Sequence, residues 1–465
     1  MPANPLESRS RRDLLRGVAA GALLGRTARG AATPDRPNIL YLHSHDTGRY
    51  IQPFGHEIPT PHLQKLADEG IFFRQAFDAA PTCSPSRASL LTGECPHNNG
   101  MLGLAHRGFS LYDYNKHIIH RLQPLGYRAT LIGVQHIARD PSVIGYDEII
   151  KTPGAHAAVV APAAVKFLKS APKEPFWLTV GFQETHRVYR EPGPAEDQRY
   201  TQPPAPILDA PETRYDAACF KATARELDRG MGEVLNALEE QGLAKNTLVI
   251  CTTDHGIAFP EMKCNLTVHG TGVFLIMRGP GGFSGGKICN SMVSHLDLYP
   301  TVCDLVNVEH PTWLQGKSLM PLIRGEATEL HDELFAEVNY HAAYEPKRAA
   351  RTRRWNYIKR FGDRDHPVLP NCDDGPSKTL WLKNGWKDRT DPEERLYDTF
   401  FDPNERYNLA HDPAYAAALN EMRGRLSAWM KRTDDPLLRG PVKAPAGAVT
   451  NDPNGISPHE KPRPA

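Results

Sequence analysis

The chain has 465 residues, and its 55 lysines and arginines nearly balance 54 aspartates and glutamates, which gives a formal net charge of +1. This length can form more than one domain with a sizeable core, and a charged fraction of 23% is typical of soluble globular enzymes. The balanced charge argues against a general attraction to nucleic acid. Eight scattered cysteines, none in a C-x-x-C pair, argue against a disulfide scaffold or a structural zinc site.

The N-terminal segment has the pattern of an export signal. Residues 10–16 read S-R-R-D-L-L-R, which resembles a bacterial twin-arginine signal, and an apolar stretch over 18–24 follows. That stretch is too short to span a bilayer, and no other run approaches the necessary length. The sequence therefore predicts a signal over 1–33, the twin-arginine export machinery as a partner, a periplasmic or secreted protein and no membrane span. A disordered basic tail is the alternative.

Between residues 34 and 330, apolar runs alternate with amphipathic stretches. Strands are predicted near 38–42, 127–132, 176–182, 248–252 and 272–277, and helices near 61–70, 86–91 and 216–241. Pro85 suits the first turn of the helix near 86–91, and Gly242 follows the last of these helices. Strands that alternate with helices indicate an α/β domain over 34–330, whose mostly parallel central sheet is covered on both faces.

The pattern changes after residue 330. Strand-like pieces at 334–338 and 355–361 alternate with turns, and one amphipathic helix is predicted over 414–431. These elements predict a smaller C-terminal α+β domain over 331–433. From Asp434 onward prolines recur and apolar residues become sparse, so we expect the Pro-rich tail over 434–465 to have little order.

Two of the predicted strands end in clusters of metal-ligating residue types. The sequence H-S-H-D follows the first strand at 43–46, and T-T-D-H-G follows the strand at 248–252. Open α/β sheets bind ligands beyond the carboxyl ends of their strands, so both clusters can face one ion. Each cluster is ambiguous by itself, because Asp46 or Asp254 could equally cap a helix.

The most specific segment of the chain is 83–93, which reads C-S-P-S-R-A-S-L-L-T-G. It matches the signature C-x-P-S-R-x-x-x-x-T-G, and the chain therefore resembles the sulfatase family of the alkaline-phosphatase-like superfamily. Weaker matches fall in family order along the chain: P-N-I-L-Y-L, T-P-H-L-Q-K-L-A, H-N-N-G-M-L-G-L, L-V-I-C-T-T-D-H-G, L-Q-G-K-S-L-M-P-L and L-Y-D-T-F-F-D-P-N-E-R. The alternative is a structural cysteine at a loop-to-helix junction.

The resemblance implies an alkaline-phosphatase-like sandwich and a sulfate-cleaving hydrolase. Cys83 would be oxidised to formylglycine by a formylglycine-generating enzyme, and the hydrated aldehyde would be the nucleophile. A gem-diol supplies two oxygens, of which one attacks sulfur and the other, once deprotonated, expels sulfate and restores the aldehyde. A divalent cation together with cationic side chains would neutralise the anionic sulfate oxygens.

The resemblance also implies a metal site with one unusual feature at each strand end. The ligands would be Asp46, Asp254, His255 and Cys83, with His45 as a further candidate. His45 stands where the family usually has aspartate, and His255 stands where it usually has asparagine. Calcium is the family default, but imidazole ligands favour manganese, zinc or iron. His45 could instead turn away from the ion.

The remaining catalytic residues come from four positions that match the family. Arg87 would hold the formylglycine hydrate, and Lys263 would contact the sulfate oxygens. His186 would contact the sulfate ester, and His136 would steady one hydroxyl of the hydrate. The lysine that the family places two residues before this last histidine is replaced by Val134, so one contact is missing.

The implied substrate is a sulfated saccharide, bound as a sulfate ester or a sulfamate, in glycosaminoglycan degradation. Weaker candidates for substrate contact are Tyr340, His341, Arg348, His97, His106 and the basic run over 351–354. Two other functions stay open. A phosphonate or phosphate ester hydrolase on the same scaffold is favoured by His255, and a non-catalytic glycan-binding relic is favoured by the replacements at His45 and Val134.

Overall fold

An eight-stranded sheet is the centre of residues 36–465, which are the part of the chain that this computed structural model describes. Its strands are β1 (Asn38–His43), β2 (Ile71–Phe77), β3 (Arg128–Gly133), β4 (Glu148–Ile150), β5 (Phe176–Gly181), β6 (Thr247–Thr252), β7 (Leu275–Arg278) and β8 (Lys287–Ser294). The order across the sheet is β4-β3-β5-β1-β6-β7-β2-β8, and β7 runs antiparallel to both neighbours. The predicted mostly parallel α/β sheet is confirmed. The predicted signal over 1–33 lies outside the described residues.

Alternate side chains of β1 supply two separate hydrophobic cores. Ile39 and Tyr41 belong to one core, whereas Leu40 and Leu42 belong to the other. All six residues of the strand are buried, because successive side chains point to opposite faces and both faces are covered. This double burial explains the continuous apolar run by which the sequence predicts the strand.

The parallel register brings the carboxyl ends of four strands to one edge of the sheet. His43 of β1 pairs with Gly181 of β5 and with Thr252 of β6. Gly133 of β3 pairs with the same Gly181. The segments that follow β1, β3, β5 and β6 therefore leave the sheet side by side, at the edge where α/β folds bind ligands.

Helices cover the sheet on both faces. In chain order they are α1 (Pro61–Glu69), α2 (Cys83–Thr92), α3 (Pro96–Asn99), α4 (Ile118–Leu122), α5 (Ala157–Lys169), α6 (Pro211–Glu240), α7 (Val268–Thr271), α8 (Leu298–Leu305), α9 (Met320–Ile323), α10 (Pro376–Lys383) and α11 (Ala416–Arg432). Helix α2 begins three residues before the predicted 86–91, so Cys83 is its first residue. Within residues 36–465, none of the helices combines the length and the apolar character that a membrane crossing requires.

A second sheet follows in the chain. Strands β9 (Leu334–Tyr340), β10 (Tyr344–Arg351), β11 (Trp355–Arg360) and β12 (Glu394–Asp398) form an antiparallel sheet in the order β12-β11-β10-β9. Helix α11 packs on it, with Leu419 and Met422 in one cluster with Tyr357 and Leu396. Pro37–Ala465 form one compact unit, so the division into domains over 34–330 and 331–433 stays a prediction.

The expectation of little order in the tail over 434–465 is wrong. Val442 and Ala448 are buried in the main core, and β13 (Val449–Thr450) pairs with β14 (Arg463–Pro464). Asn451 is fully buried, and its Oδ1 accepts a 2.7 Å hydrogen bond from Nη1 of Arg107. Composition underestimates the order here because polar side chains elsewhere in the chain bind the tail.

The second sheet also carries a buried network of charges. Nε and Nη2 of Arg348 donate to Asp435 over 2.6 and 3.0 Å, and Nε lies 3.5 Å from Glu337. Glu337 also pairs with the His97 ring and accepts a 2.8 Å hydrogen bond from the His97 backbone N–H. Arg348 and His97 are therefore structural residues, and the suggestion that Arg348 contacts substrate is wrong. The basic run over 351–354 is also neutralised, because its three arginines pair with carboxylates: Arg351 with Glu405, Arg353 with Glu329 and Arg354 with Asp398.

This network predicts a pH dependence of stability. Burial opposes the charge on His97, but Glu337 outweighs it and raises the His97 pKa to about 11. Because the pKa of His97 is higher in the folded state than in the unfolded state, the charged ring stabilises the fold. This stabilisation is complete below the unfolded-state pKa near 6.5 and is lost as the pH rises toward 11. We expect the parent to lose roughly 2–3 kcal/mol more unfolding free energy than His97→Gln between pH 6 and pH 8.5, since each pH unit is worth about 1.36 kcal/mol. Urea unfolding at both pH values measures this, and parallel losses in the two proteins would contradict it.

Candidate active site

Cys83 lies at the N-terminus of α2, buried beneath the edge where the strands end. Its Sγ is 3.3 Å from Nε2 of His255 and 3.9 Å from Oδ1 of Asp46. The first turn of a helix presents free backbone N–H groups and the positive end of the helix dipole, so this position suits an anion. Burial raises the pKa of the Cys83 thiol well above its usual range, so an unmodified thiol here is a poor nucleophile.

Two carboxylates from different strand ends lie close to Cys83. Asp46 follows β1, Asp254 follows β6, and the backbone N–H of Asp46 donates to Oδ1 of Asp254 over 2.8 Å. The backbone of Asp46 is in the left-handed region, with a φ of 56°, which is costly for a residue other than glycine. The Thr47 N–H donates to the Thr253 hydroxyl over 3.0 Å and helps to hold this turn. The two strand ends are thus locked together.

Arg87 lies one helical turn after Cys83 and fixes the second carboxylate. Its Nη2 donates to Oδ2 of Asp254 over 2.8 Å and to the Ser44 carbonyl over 3.0 Å. Nη1 lies 2.6 Å from Nδ1 of His43, whose pKa is lowered by burial and by Arg87, so the neutral ring accepts this hydrogen bond. Arg87 Nε is buried without a partner among the described residues. The guanidinium therefore holds Asp254 in place and keeps its Nε–H donor free.

Two imidazoles complete the group around the carboxylates. Nδ1 of His255 donates to the Gly256 carbonyl over 2.9 Å, so its Nε2 lone pair faces Asp46 and Asp254 at 3.3 and 3.6 Å. Nε2 of His45 lies 3.3 Å from Oδ2 of Asp254, yet both His45 ring nitrogens are buried without a hydrogen bond among the described residues. Buried polar atoms in native proteins are normally paired, so the unpaired nitrogens of His45 indicate that the ring has a partner outside the protein chain.

These side chains fit a divalent metal ion. One ligand atom from each of His45, Asp46, Cys83 and Asp254 lies within 4.8 Å of the other three. Although burial opposes it, Arg87 holds the pKa of Asp254 well below its usual range, which leaves an ionised ligand. Burial and Arg87 lower the pKa of His45, which leaves a neutral ring with a free lone pair. An ion would also partner one of the two unpaired nitrogens of His45.

Lys263 places a positive charge beside this group. Its Nζ donates to Oδ2 of Asp46 and to Oδ2 of Asp373, both over 2.8 Å. Burial works against the charge, but Asp373 and Asp46 outweigh it and raise the pKa of Lys263 well above its usual value. An ammonium has three N–H donors, so one is left for an anionic ligand.

His136 and His186 approach the group from the ends of β3 and β5. Nitrogen and sulfur atoms of His45, Cys83 and His136 lie within 4.8 Å of one another, and Nδ1 of His136 is buried without a partner among the described residues. Nδ1 of His186 lies 2.5 Å from the Arg187 carbonyl, so Nε2 is directed toward Asp46, 4.0 Å away. Both rings lie close to the ring of His45, with centroids 5.8 and 4.6 Å from it.

A cleft of about 660 Å³ lies over these histidines. His45, His136 and His186 line it together with His106, whose ring stacks on His136 and whose Nδ1 lies 3.0 Å from Nε2 of His136. The volume falls within the range of small-molecule sites. Every catalytic and metal-ligand candidate of the sequence therefore lies in one buried group or on the wall of this cleft.

Similarity to known proteins agrees with this arrangement. The sequence profile described as Sulfatase matches residues 37–308, and the profile for the C-terminal part of N-sulphoglucosamine sulphohydrolase matches 269–384. Human N-sulphoglucosamine sulphohydrolase is 31% identical over 463 residues, which cover 87% of this chain and 92% of the human protein. The chain belongs to the sulfatase family.

Two further comparisons place this sulfatase among its relatives. The delta 4,5-hexuronate-2-O-sulfatase of Bacteroides thetaiotaomicron is 26% identical over 504 residues, which cover 93% of this chain and 96% of that protein. A solved phosphonate monoester hydrolase from Silicibacter pomeroyi has a TM-score of 0.62 at 18% identity, with coverage of 86% and 96%, and that likeness shows the fold alone. The predicted alkaline-phosphatase-like fold and the hydrolysis of sulfate esters or sulfamates are thus confirmed. The family also implies a metal ion and a formylglycine.

Several residues of this sulfatase site have roles that their sequence pattern does not predict. His43 belongs to the H-S-H-D cluster of metal-ligating residue types, but it is the partner of Arg87. Asp373, which bonds to Lys263, lies in a loop without a periodic pattern, and a polar C-D-D-G-P-S turn was the available signal. Of the weaker candidates, His106 lines the cleft, whereas Tyr340 is buried in the core and donates to the Val442 carbonyl.

Proposed function

We propose that this sulfatase cleaves sulfate from a sulfated sugar, as an O-sulfate ester or an N-sulfoglucosamine-like sulfamate, in glycosaminoglycan degradation. The similarity to human N-sulphoglucosamine sulphohydrolase along 87% of the chain supports this substrate class. The observation that carries the proposal is the group around Cys83, where an imidazole, two carboxylates and a lysine surround the start of a helix. A divalent cation held by the two carboxylates, together with Lys263 and Arg87, would give this group the positive charge that a sulfate group requires.

The roles of the side chains follow from their free atoms. Conversion of Cys83 to formylglycine by a formylglycine-generating enzyme would supply the nucleophilic oxygen that a protonated thiol cannot. The free N–H of Lys263 would bind a sulfate oxygen, and Arg87 Nε would donate toward residue 83. The unpaired Nδ1 of His136 would hold a proton or hydroxyl beside residue 83. Nε2 of His186 would donate a proton to the leaving oxygen or nitrogen as a general acid.

The proposed cofactor is one divalent metal ion held by Asp46, Asp254, His255, residue 83 and His45. A bound ion there would neutralise charge on the sulfate oxygens. Two imidazoles in the donor set favour manganese, iron or zinc, because calcium prefers oxygen ligands throughout. Calcium, the usual ion of the family, is therefore the less favoured choice.

Replacing His45 tests the metal preference. We expect His45→Asp to raise the ratio of bound calcium to bound transition metal, because the change replaces an imidazole nitrogen by a carboxylate oxygen, and calcium prefers oxygen ligands. Metal analysis of the parent and the variant, purified from the same medium, measures the ratio. His106→Asp is the matched control, since it adds a carboxylate to the cleft outside the ligand group. An unchanged metal content in His45→Asp would mean that His45 does not touch the ion.

The proposed location is the periplasm or the cell exterior. Residues 1–33 resemble a twin-arginine signal, so the twin-arginine machinery is the proposed export partner. That machinery carries folded proteins, and a conversion of Cys83 in the cytoplasm is compatible with such a route.

A substrate panel tests the proposed function. The parent protein is assayed against an aryl sulfate, a matched aryl phosphonate monoester, and defined O-sulfated and N-sulfated sugars, with its metal content and residue 83 analysed in parallel. We expect sulfate release to dominate. Dominant phosphonate turnover would replace the proposal with the alternative that His255 favours. Absence of all turnover, with formylglycine and metal both present, would favour a glycan-binding relic.

A further inference from the structure

Asp373 adds a third carboxylate to the site, from the C-terminal half of the chain. It lies in the loop before α10, and its Oδ2 accepts a 2.8 Å hydrogen bond from Nζ of Lys263. The same Nζ donates to Asp46, so Lys263 joins Asp373 to the group around Cys83 and keeps its third N–H. The Asp373 side chain keeps 15% of its surface exposed, whereas that of Lys263 keeps 1%. Asp373 is therefore the more accessible partner of this ion pair.

The carboxylate of Asp373 stands apart from the proposed metal ligands. Lys263 lies between it and Asp46, and the ligand group found within residues 36–465 does not include Asp373. One oxygen of Asp373 is used by Lys263, while Oδ1 makes no hydrogen bond within the described part of the chain. An additional negative charge weakens a site for an anion unless it serves another contact. The free oxygen of Asp373 therefore calls for a hydrogen-bond donor on the ligand.

The loop that carries Asp373 is fixed from inside. The buried Nζ of Lys378 donates to the Cys372 carbonyl over 2.7 Å and to Oδ1 of Asp374 over 2.8 Å, and it also binds the Ile456 carbonyl of the tail. The Ser457 hydroxyl pairs with the other oxygen of Asp374. Both neighbours of Asp373 in the sequence are thus held in place.

The same loop is also held from the side of the large sheet. Arg187 pairs with Asp216 through two 2.7 Å hydrogen bonds, and Asp216 accepts a 3.3 Å hydrogen bond from the Ser377 N–H. A Cβ on Gly375 would lie 2.5 Å from Nη1 of Arg187, so the loop packs directly against this guanidinium. A carboxylate on so firmly supported a loop is pre-positioned, as specific ligand recognition requires.

We propose that Asp373 binds the substrate, and that Oδ1 accepts a hydrogen bond from a hydroxyl or amine on the sugar that carries the sulfate. The inference rests on the proposed function, because it requires Lys263 to bind the sulfate group. A donor beside the sulfated position then reaches Asp373 while a sulfate oxygen reaches Lys263. A second sulfate or a carboxylate at that place on the sugar would be repelled. Asp373 thus selects for a neutral or cationic neighbour of the scissile group.

The test compares a sulfated sugar with a sulfate that has no sugar. Asp373→Ala and Asp373→Asn are assayed on N-sulfated or O-sulfated glucosamine and on p-nitrophenyl sulfate, with the inhibition constant of inorganic sulfate measured alongside. We expect Asp373→Ala to lower kcat/KM for the sugar by about 10- to 100-fold, as for a lost hydrogen bond to a charged group, and kcat/KM for the aryl sulfate by less than about 3-fold. Asp373→Asn should lose less on the sugar, because its amide oxygen is still an acceptor. Asp388→Asn, an exposed aspartate on the surface, is the matched control and stays at the parental rate.

The outcomes separate this inference from the proposed function. Equal losses on both substrates, or a weaker inhibition by inorganic sulfate, would show that Asp373 acts only by orienting Lys263, and unchanged kcat/KM on both would show no role. Either result would overturn the inference. Parental enzyme without activity on any sulfate would instead overturn the proposed function. Asp373→Asn keeps the volume of the side chain, so its fold should be preserved. Thermal unfolding of both variants checks this.

Discussion

Cys83→Ala is expected to lower sulfate ester hydrolysis by at least about 10⁴-fold, as loss of a catalytic nucleophile does in other hydrolases. The fold should survive, because the change removes a single buried sulfur and typical single substitutions cost about 1 kcal/mol. Cys83 is 1% exposed and surrounded by polar site residues, so its packing with the hydrophobic core is small. Initial rates and thermal unfolding of parent and variant, measured together, test both halves of the expectation.

A buried cysteine elsewhere in the chain provides the control for Cys83. Cys303 in α8 is also fully buried and unpaired, but it belongs to the hydrophobic core, so Cys303→Ala should keep its activity. Mass spectrometry of the peptide that contains residue 83 shows in the same preparation whether the thiol has been converted. A parental rate in Cys83→Ala would refute the assignment of residue 83 as the nucleophile, and full activity with an unmodified thiol would refute its conversion to formylglycine.

The sequence predicts most of this site because its residues follow apolar runs. Asp46 and Asp254 come directly after buried strands, and parallel strands bring their carboxyl ends together, so a local pattern predicts a contact between distant segments. The signature at 83–93 adds Cys83 and Arg87. The predicted proximity of these side chains is confirmed, because strand polarity and a short motif determine the geometry, whereas their catalytic roles stay predictions.

Other features depend on tertiary contacts that leave no local pattern. Asp373 reaches Lys263 through a loop held by Lys378 and Ser457, and nothing in the sequence marks that loop as part of the site. The sequence suggests Arg348 as a substrate contact, because a basic residue near a predicted site is typical of anion binding. Its actual partner, Asp435, lies in a tail whose composition predicts little order. Buried ion pairs of this kind become visible when both partners are located in space.

Arg348→Met is expected to destabilise the protein by about 3–5 kcal/mol, the usual cost of removing one partner from a buried ion pair. Arg348 and Asp435 are both fully buried, and Glu337 lies 3.5 Å from the same guanidinium. The change leaves two buried carboxylates, of which Glu337 still has His97 but Asp435 loses both of its charge-assisted hydrogen bonds. Urea unfolding of parent and variant near pH 6, where His97 is charged in both states, measures the difference.

Arg439→Met is the matched control, because Arg439 pairs with Asp434 at the surface and exposed ion pairs contribute little to stability. We expect it to unfold at the parental urea concentration. The activity of folded Arg348→Met separates the two roles considered for this residue. A structural role leaves KM for a sulfated sugar unchanged at a temperature where the variant is folded, whereas a substrate contact would raise KM without a large loss of stability. The fully buried guanidinium, bound on both sides by carboxylates, leads us to expect the first result.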